Sequence, residues 1–386
     1  MSILGIRFDR KAAVVGAVAI VCAAAWLALN VWGNYEGHLS GLFYTGSAVK
    51  LPPGIAEETY RVKDAAGYDG QFYRLIARDP FLRSGFAAFV DNPALRWRRI
   101  GIPGLAWLAG GSSDAAIDGA YVAIELGFVL LGALWLAAYA QSVEWSPVWG
   151  LAFLFVPAVM VSLDRMTVDV GLAALTVGLL SRSAGVKVWT IYLLLCIAPL
   201  IRETGMVLLV AWCVHAALQR KWRQAISGML CAVPALAWWS YVQRHTSADG
   251  TRWLAQYPFS GIAERTLHGG FGPDATLWLR TANVCERLAL AGLWLALALS
   301  IYAIWKRPSG LAELTALAFS AFAATLGRAD IWDSAYAAGR TMSPLLIVLG
   351  MIALRDRRAI FAVPMLLVVP RIALQYEAQI RGALLG

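Results

Sequence analysis

Long apolar runs recur along the whole chain, and short polar or basic segments separate them. A helix needs roughly 20 apolar residues to cross a bilayer hydrocarbon core of about 30 Å. The pattern therefore predicts an all-α polytopic membrane protein with about eleven transmembrane helices, in which residues 1–386 form one integral-membrane domain. The predicted spans lie near residues 12–32, 119–140, 147–163, 167–181, 188–201, 204–218, 225–242, 283–305, 311–327, 341–354 and 359–374.

Basic clusters between the apolar runs predict the orientation of the chain, because Lys and Arg concentrate in cytoplasmic loops. Such a cluster precedes the first run, which we expect to remain as an uncleaved anchor with a cytoplasmic amino terminus. Residues 33–118 then form a large first outer loop with amphipathic surface helices, residues 119–374 a helical bundle, and residues 375–386 an outer tail. The short run at 100–108, broken by Pro103, is expected to be re-entrant or interfacial.

The composition agrees with this pattern and argues against other classes of protein. The chain is 59% hydrophobic and only 15% charged, and its mean hydropathy is +0.62, which excludes an ordinary soluble protein. Its formal charge of +9 is carried largely by the short basic clusters, so we expect membrane lipids and no nucleic acid among its partners. The five cysteines lie mostly in apolar runs without paired spacing, and the histidines lack a second ligand, so neither a metal nor a cofactor is predicted.

The first outer loop contains the polar segment 68–73, with the sequence YDGQFY. An amphipathic helix is expected to follow, with Gln71, Arg74 and Arg78 on a polar face directed toward lipid phosphate or solvent. Asp69 would lie at the amino end of this helix. Two hypotheses fit it: a carboxylate that caps the helix and complements its dipole, or a catalytic base. The same segment supplies three candidate substrate-binding residues, Tyr68, Gln71 and Tyr73.

A basic aromatic cluster, with the sequence RWRR, occupies residues 96–99. One interpretation is interfacial: long basic side chains extend to the membrane surface beside a tryptophan belt. The other is a phosphate clamp, which makes Arg98 and Arg99 candidate substrate-binding residues.

Two further polar turns interrupt the apolar runs. Asp164 and Asp169 occupy the first turn, and Asp169 falls inside the start of a predicted helix, where a carboxylate needs a partner or water. Arg165, four residues before Asp169, could neutralise it structurally, or Asp169 could serve a site. In the second turn, Arg202 and Glu203 point in different directions on a helix, so each needs another partner.

The alternative for the Arg202 turn is a helix-loop-helix tip satisfied by loop charges, but its guanidinium also suits phosphate oxygens. Arg340 begins a predicted helix that faces the same outer compartment. The glycine-rich stretch at 269–272 could order over a substrate.

Several of these motifs together resemble the GT-C superfamily of integral-membrane glycosyltransferases. More closely, they resemble a group of bacterial membrane proteins associated with cell-surface glycopolymer formation. The layout resembles these proteins over most of the chain, but the specific motifs are concentrated in the first outer loop and the Arg202 turn. They are Tyr68-Asp69-Gly70-Gln71-Phe72-Tyr73, Asp79-Pro80-Phe81, Asp91-Asn92-Pro93, Arg98-Arg99 and Arg202-Glu203-Thr204.

The resemblance implies transfer of a sugar from a polyprenyl-phosphate donor to a glycan or lipid acceptor, on the outer face of a bacterial cytoplasmic membrane. It assigns the base role to Asp69. Arg202 and Arg340 would hold the lipid phosphate, while Glu203 and Asp169 would orient those arginines or sugar hydroxyls. The sequence departs from the acidic pair common in such enzymes, because Gly70 follows Asp69. A lipid flippase or transporter, and a noncatalytic assembly subunit, remain alternatives.

Overall fold

The computed structural model describes residues 2–3, 6–111, 113–181, 187–247, 255–268, 276–327 and 329–385. The predicted flexible stretch at 269–272, together with Arg182 and Arg328, lies outside the described residues. The structure is 77% helical, and the residues it describes contain almost no strand, as predicted for an all-α membrane protein.

The α-helices are α1 Arg10–Gly33, α2 Asp69–Arg78, α3 Pro93–Arg96, α4 Gly101–Gly110, α5 Asp114–Ser142, α6 Pro157–Arg165, α7 Asp169–Leu180, α8 Val188–Ile201, α9 Gly205–Leu218, α10 Trp222–Leu230, α11 Val233–His245, α12 Ser260–His268, α13 Leu277–Lys306, α14 Leu311–Thr325, α15 Ala329–Trp332, α16 Ala335–Asp356 and α17 Val363–Leu385. The 3-10 helices are Leu39–Phe43, Phe86–Phe89, Trp97–Arg99, Pro147–Phe155 and Ala359–Ala362. The short strands are β1 Ser2–Ile3, β2 Ile6–Arg7, β3 Thr45–Gly46 and β4 Arg61–Val62; β1 pairs antiparallel with β2, and β3 parallel with β4.

Within the described residues, six helices are long and apolar enough to cross a membrane. Four of them are α1, α5, α13 and α16. The other two join consecutive segments: Trp222–His245 combines α10 and α11, and Ala359–Leu384 combines the last 3-10 helix with α17. The predicted count of eleven is not confirmed. Four further predicted spans correspond to the shorter helices α7, α8, α9 and α14. At 12 residues, for example, α7 extends only about 18 Å, well short of a hydrocarbon core.

A broken helix pair replaces the predicted span at 147–163. The 3-10 helix Pro147–Phe155 and α6 meet at 57°, and counting them as one span would raise the number to seven. Pro157 occupies the first turn of α6, where its missing N–H and fixed φ favour a helix start. The break falls at Val156, whose backbone is extended.

The segment between α1 and α5 is folded around α2, whose start at Asp69 confirms the predicted helix. The predicted exposure of its basic face is wrong. The side chains of Arg74 and Arg78 are only 4% and 3% exposed, and both form ion pairs of 2.9 Å with Asp118 on α5. Burial is possible because one carboxylate accepts hydrogen bonds from both guanidinium groups. These bonds fasten α2 to the bundle.

Helix α16 runs through the core and organises one end of the bundle. Its residues from Ala335 to Ala353 are nearly all buried, and α6, α7, α14 and α17 pack around it. There, Arg165 at the end of α6 and Arg340 in the first turns of α16 contact the start of α2, and Arg340 also contacts Asp169 at the start of α7. The residues 375–385 predicted as a tail continue α17 as a helix.

Candidate functional site

Asp69 lies at the first position of α2, with Tyr68 as the residue before it. One sequence hypothesis made this carboxylate the cap of the helix, but the N-cap residue is Tyr68 and no described side chain caps the helix by a hydrogen bond. Instead, Oδ1 lies 2.9 Å from Nη1 of Arg96, and Oδ2 lies 2.9 Å from Nη1 of Arg340. Asp69 is therefore held between two guanidinium groups, one from the first loop and one from the core helix.

The arginines dominate the protonation of Asp69. Burial alone would raise the pKa of this carboxyl group, but Arg96 and Arg340 outweigh burial and hold the pKa well below its usual range. Asp69 is thus an ionised carboxylate, as a base must be, but one whose negative charge is already neutralised.

Gly70 allows α2 to start this close to the core. A Cβ atom at this position would collide with the carbonyl oxygen of Arg165 and approach that of Phe43 to 3.0 Å. Both neighbours are backbone atoms, so a larger residue cannot be accommodated by rotating a side chain. The residue that breaks the expected acidic pair is therefore required by packing.

We expect Gly70→Ala to displace the start of α2 and lower the free energy of unfolding by about 1–3 kcal/mol, the usual range for overpacking. Thermal unfolding in detergent would measure the loss. Gly119→Ala is the matched control, because a Cβ there meets no atom within 4 Å. Equal stability of the two variants would contradict the close approach at Gly70.

Asp69 begins a continuous chain of alternating charges. Nε of Arg340 lies 3.6 Å from Oδ2 of Asp169, and Asp169 also pairs with Arg202. Arg202 donates a hydrogen bond of 3.0 Å to the Thr341 hydroxyl, next to Arg340 on α16. The predicted pairing of Asp169 with Arg165 is wrong, since Arg165 pairs with Asp164 at 3.3 Å. The turn at 163–169 reverses the chain, so residues four apart do not share a helix face.

A second pair adjoins this chain. Arg99 donates to both oxygens of Glu203, at 2.8 and 2.5 Å, and to the Tyr73 hydroxyl at 2.7 Å. As predicted, Arg202 and Glu203 take different partners. Burial would raise the pKa of Glu203, but Arg99 lowers it, and the result is a pKa of about 2.

Tyr68 lies between these ion pairs and a second polar cluster. Its ring lies 5.2 Å from the Arg340 guanidinium and 5.6 Å from the Tyr336 ring. Burial raises the pKa of Tyr68 to about 12, so its hydroxyl stays neutral. Tyr336 donates a 2.5 Å hydrogen bond to Asp164, which also accepts one from Gln379. Asp164 is therefore beside the Asp69 chain but not part of it.

Two predicted substrate-binding residues have other surroundings. Gln71 is buried, and its side chain accepts from the Gly46 backbone and donates to the Ala66 carbonyl, so it holds the loop before α2. Arg98 is half-buried and makes no ion pair within the described residues, although its Nε atom is buried without a hydrogen-bond partner. For the other two arginines of the RWRR cluster, Arg96 and Arg99, the interfacial interpretation is wrong, because both are buried and form ion pairs.

Arg96 pairs with Asp69 and lies 5.9 Å from the Tyr73 ring, so it joins the Asp69 chain to the Arg99 pair. Of the eleven predicted site residues, all but Gln71, Arg98 and Asp164 belong to this group. The eight members are Tyr68, Asp69, Tyr73, Arg99, Asp169, Arg202, Glu203 and Arg340. No family model, curated protein or solved structure matches this chain. Within the described residues, no group of three or more His, Cys, Asp or Glu side chains could hold a metal ion. The arrangement thus offers carboxylates and fixed cations as its chemistry.

Sequence reasoning missed Arg96, Thr341 and the buried acid Glu125. Arg96 belongs to the basic cluster, and its position before the apolar run gave no sign that it would reach Asp69. Glu125 interrupts the apolar pattern of α5 and is fully buried, and neither carboxylate oxygen has a hydrogen-bond partner among the described residues. An isolated acid in an apolar run was the available signal.

Proposed function

We propose that this protein is a GT-C-type membrane glycosyltransferase that transfers a sugar from a polyprenyl-phosphate donor to a glycan or lipid acceptor of the cell envelope. One observation carries the proposal: Asp69, Asp169, Arg202 and Arg340 form one connected group at helix ends, although they are far apart in the sequence. The proposal also places this group at the outer face of a bacterial cytoplasmic membrane, with the amino terminus in the cytoplasm.

The arginines supply the donor chemistry. Arg202 and Arg340 are buried, and the Nε atoms of both lack an aligned hydrogen bond within the described residues. Such guanidinium groups suit a phosphate, whose oxygens can accept paired hydrogen bonds. In the proposed reaction, the donor phosphate replaces a carboxylate as the partner of Arg340. The positive charge is then in place where the leaving group becomes more negative.

The same exchange activates Asp69. Once Arg340 holds phosphate, Asp69 loses one of its two cations, and its basicity rises. Asp69 then accepts the proton of the acceptor hydroxyl while the acceptor oxygen attacks the anomeric carbon. The bond between that carbon and the phosphate oxygen breaks, and its electron pair leaves with the polyprenyl phosphate. Arg96 keeps Asp69 oriented throughout, and Glu203 fixes Arg99 beside Tyr73.

Broken helices are also a feature of transporters, and the 57° bend at Val156 is such a break. This observation supports the second candidate, a flippase for a polyprenyl-linked glycolipid. The two activities leave different products, because a flippase moves the lipid and forms no new glycosidic bond.

A reconstitution experiment separates the candidates. Purified protein in liposomes would receive labelled polyprenyl-phosphate sugars and a panel of glycan and lipid acceptors. We expect labelled acceptor and free polyprenyl phosphate in equal amounts. Movement of the donor between leaflets without product would favour the flippase, and neither result with any donor would favour a noncatalytic subunit.

A further inference from the structure

An apolar cavity of about 900 Å³ lies between the 3-10 helix Pro147–Phe155, the second half of α16 and the start of α17. It follows α16 from Leu346 to Arg357, a rise of about 16 Å. Large apolar side chains form most of its wall, and several are strongly exposed, including Val148, Phe155 and Leu366. The cavity is therefore open to the surroundings of the helices rather than sealed in the core.

The membrane determines what kind of molecule enters. Two of the walls belong to candidate spans, so the cavity opens toward hydrocarbon rather than water. A cavity with an apolar lining does not hold ordered water, which needs two to four polar partners. A lipid chain fits both its volume and its lining.

One end of the cavity carries positive charge. Arg357 lines that end, and the other described residues of the lining are uncharged. Its 3.0 Å pair with Glu144 is largely exposed, and such pairs contribute little, so a phosphate can replace the carboxylate. Trp145 lies under the same guanidinium at 5.5 Å, in the position typical of an interfacial tryptophan.

The neighbouring basic residues add to this charge. Arg358 lines an adjacent polar cavity of about 430 Å³ together with Lys306, Arg307 and Arg355. Its acids, Glu313 and Asp356, already pair with arginines. Basic pockets between membrane helices are typical sites for anionic lipid headgroups.

We propose that the apolar cavity binds one acyl chain of an anionic phospholipid, whose phosphate contacts Arg357 and Arg358. The site is separate from the Asp69 group: Arg357 directly follows α16 and lies 17 positions after Arg340, which corresponds to about 26 Å of helical rise. A polyprenyl donor with its phosphate at Arg340 would begin at the opposite end of the bundle. The lipid site therefore stands whether or not the protein transfers sugars.

Gly350 offers a clean way to fill the cavity. It lines the wall, and a Cβ there meets no atom within 4 Å, so Gly350→Phe adds a ring to open space. Gly127→Phe on α5 is the matched control: it also has no atom within 4 Å of its Cβ and does not line this cavity. Ala362→Phe is a second filling variant on another wall.

Native mass spectrometry of detergent-purified protein would count bound phosphatidylglycerol, with phosphatidylcholine and polyprenyl phosphate as competitors. We expect wild type and Gly127→Phe to retain phosphatidylglycerol. Gly350→Phe should bind at least tenfold less phosphatidylglycerol than wild type. The double variant Arg357→Gln with Arg358→Gln should no longer prefer phosphatidylglycerol over phosphatidylcholine. If Gly350→Phe does not fold, Ala362→Phe gives the same test. Undiminished phosphatidylglycerol binding in a folded filling variant, or equal binding of both phospholipids by wild type, would each overturn the proposal. So would polyprenyl phosphate that displaces phosphatidylglycerol from wild type and is itself lost in Gly350→Phe.

Discussion

Replacing Asp69 by Asn is expected to reduce sugar transfer by roughly 10²- to 10⁴-fold, the range in which a positioned general base acts. Asn keeps the shape of the side chain but cannot accept the acceptor proton. The fold should survive, because Arg96 still pairs with Asp91 and Arg340 still lies near Asp169. Initial rates at donor concentrations well below KM, measured from pH 5 to 8, would give the loss. It should be constant over this interval, since these rates report the free protein, in which the arginines hold the pKa of Asp69 below it.

Asp118→Asn is the matched control for this variant. Like Asp69, Asp118 is a carboxylate between two arginines, here Arg74 and Arg78, but it is more deeply buried and lies outside the proposed site. Breaking such pairs costs about 3–5 kcal/mol, so this control should lose stability while each folded molecule keeps its transfer rate. If Asp69→Asn transferred sugar at near the wild-type rate, Asp69 would have no role as base. If the transfer rate of both variants fell only in proportion to the amount of folded protein, the role of Asp69 would be structural.

Arg340→Lys is expected to lower kcat/KM for the donor by roughly 10²- to 10³-fold, comparable to removing a fixed donor that stabilises a developing oxyanion. Lysine keeps the charge but loses the planar fork that contacts both Asp69 and Asp169. The ammonium group has a single nitrogen and no fixed fork, so it cannot hold Asp169 in place while the donor phosphate takes the position of Asp69. Steady-state kinetics with varied donor would show whether KM, kcat or both change.

Arg355→Lys is the control within the same helix. Arg355 also pairs with two acids, Glu313 and Asp356, but lies at the opposite end of α16. Its replacement should leave donor kinetics unchanged. Equal effects of the two substitutions would show that Arg340 acts only through the stability of α16, and full activity of Arg340→Lys would remove it from phosphate binding.

Local rules account for the features that the sequence predicted well. The period of apolar residues is a property of neighbouring positions, so the helical class and the long spans such as Arg10–Gly33 and Asp114–Ser142 follow from it. The helix that starts at Asp69 follows in the same way, from the amphipathic pattern after Gly70. Adjacent Arg202 and Glu203 had to find different partners because neighbouring side chains diverge on a helix.

Side-chain partners far apart in the sequence could not be predicted in this way. The sequence left two hypotheses for Asp169, a pairing with Arg165 four residues away or a role in a site. The structure instead pairs Asp169 with Arg202 and Arg340. Similarly, the sequence directed the arginines of α2 toward lipid phosphate or solvent, yet both form ion pairs with Asp118. A buried charge selects its partner by proximity in the folded bundle, not in the chain.

The sequence by itself determined that this is a helical membrane protein, and which charged residues interrupt its apolar runs. It singled out Asp69 as the acid of a polar segment at the start of a helix. Only the tertiary structure decided that Asp69 is held between Arg96 and Arg340 and joined to Asp169 and Arg202. The reason is physical: the hydrophobic period depends on the spacing of neighbouring residues, whereas the neutralisation of buried charges depends on which helix ends meet in space.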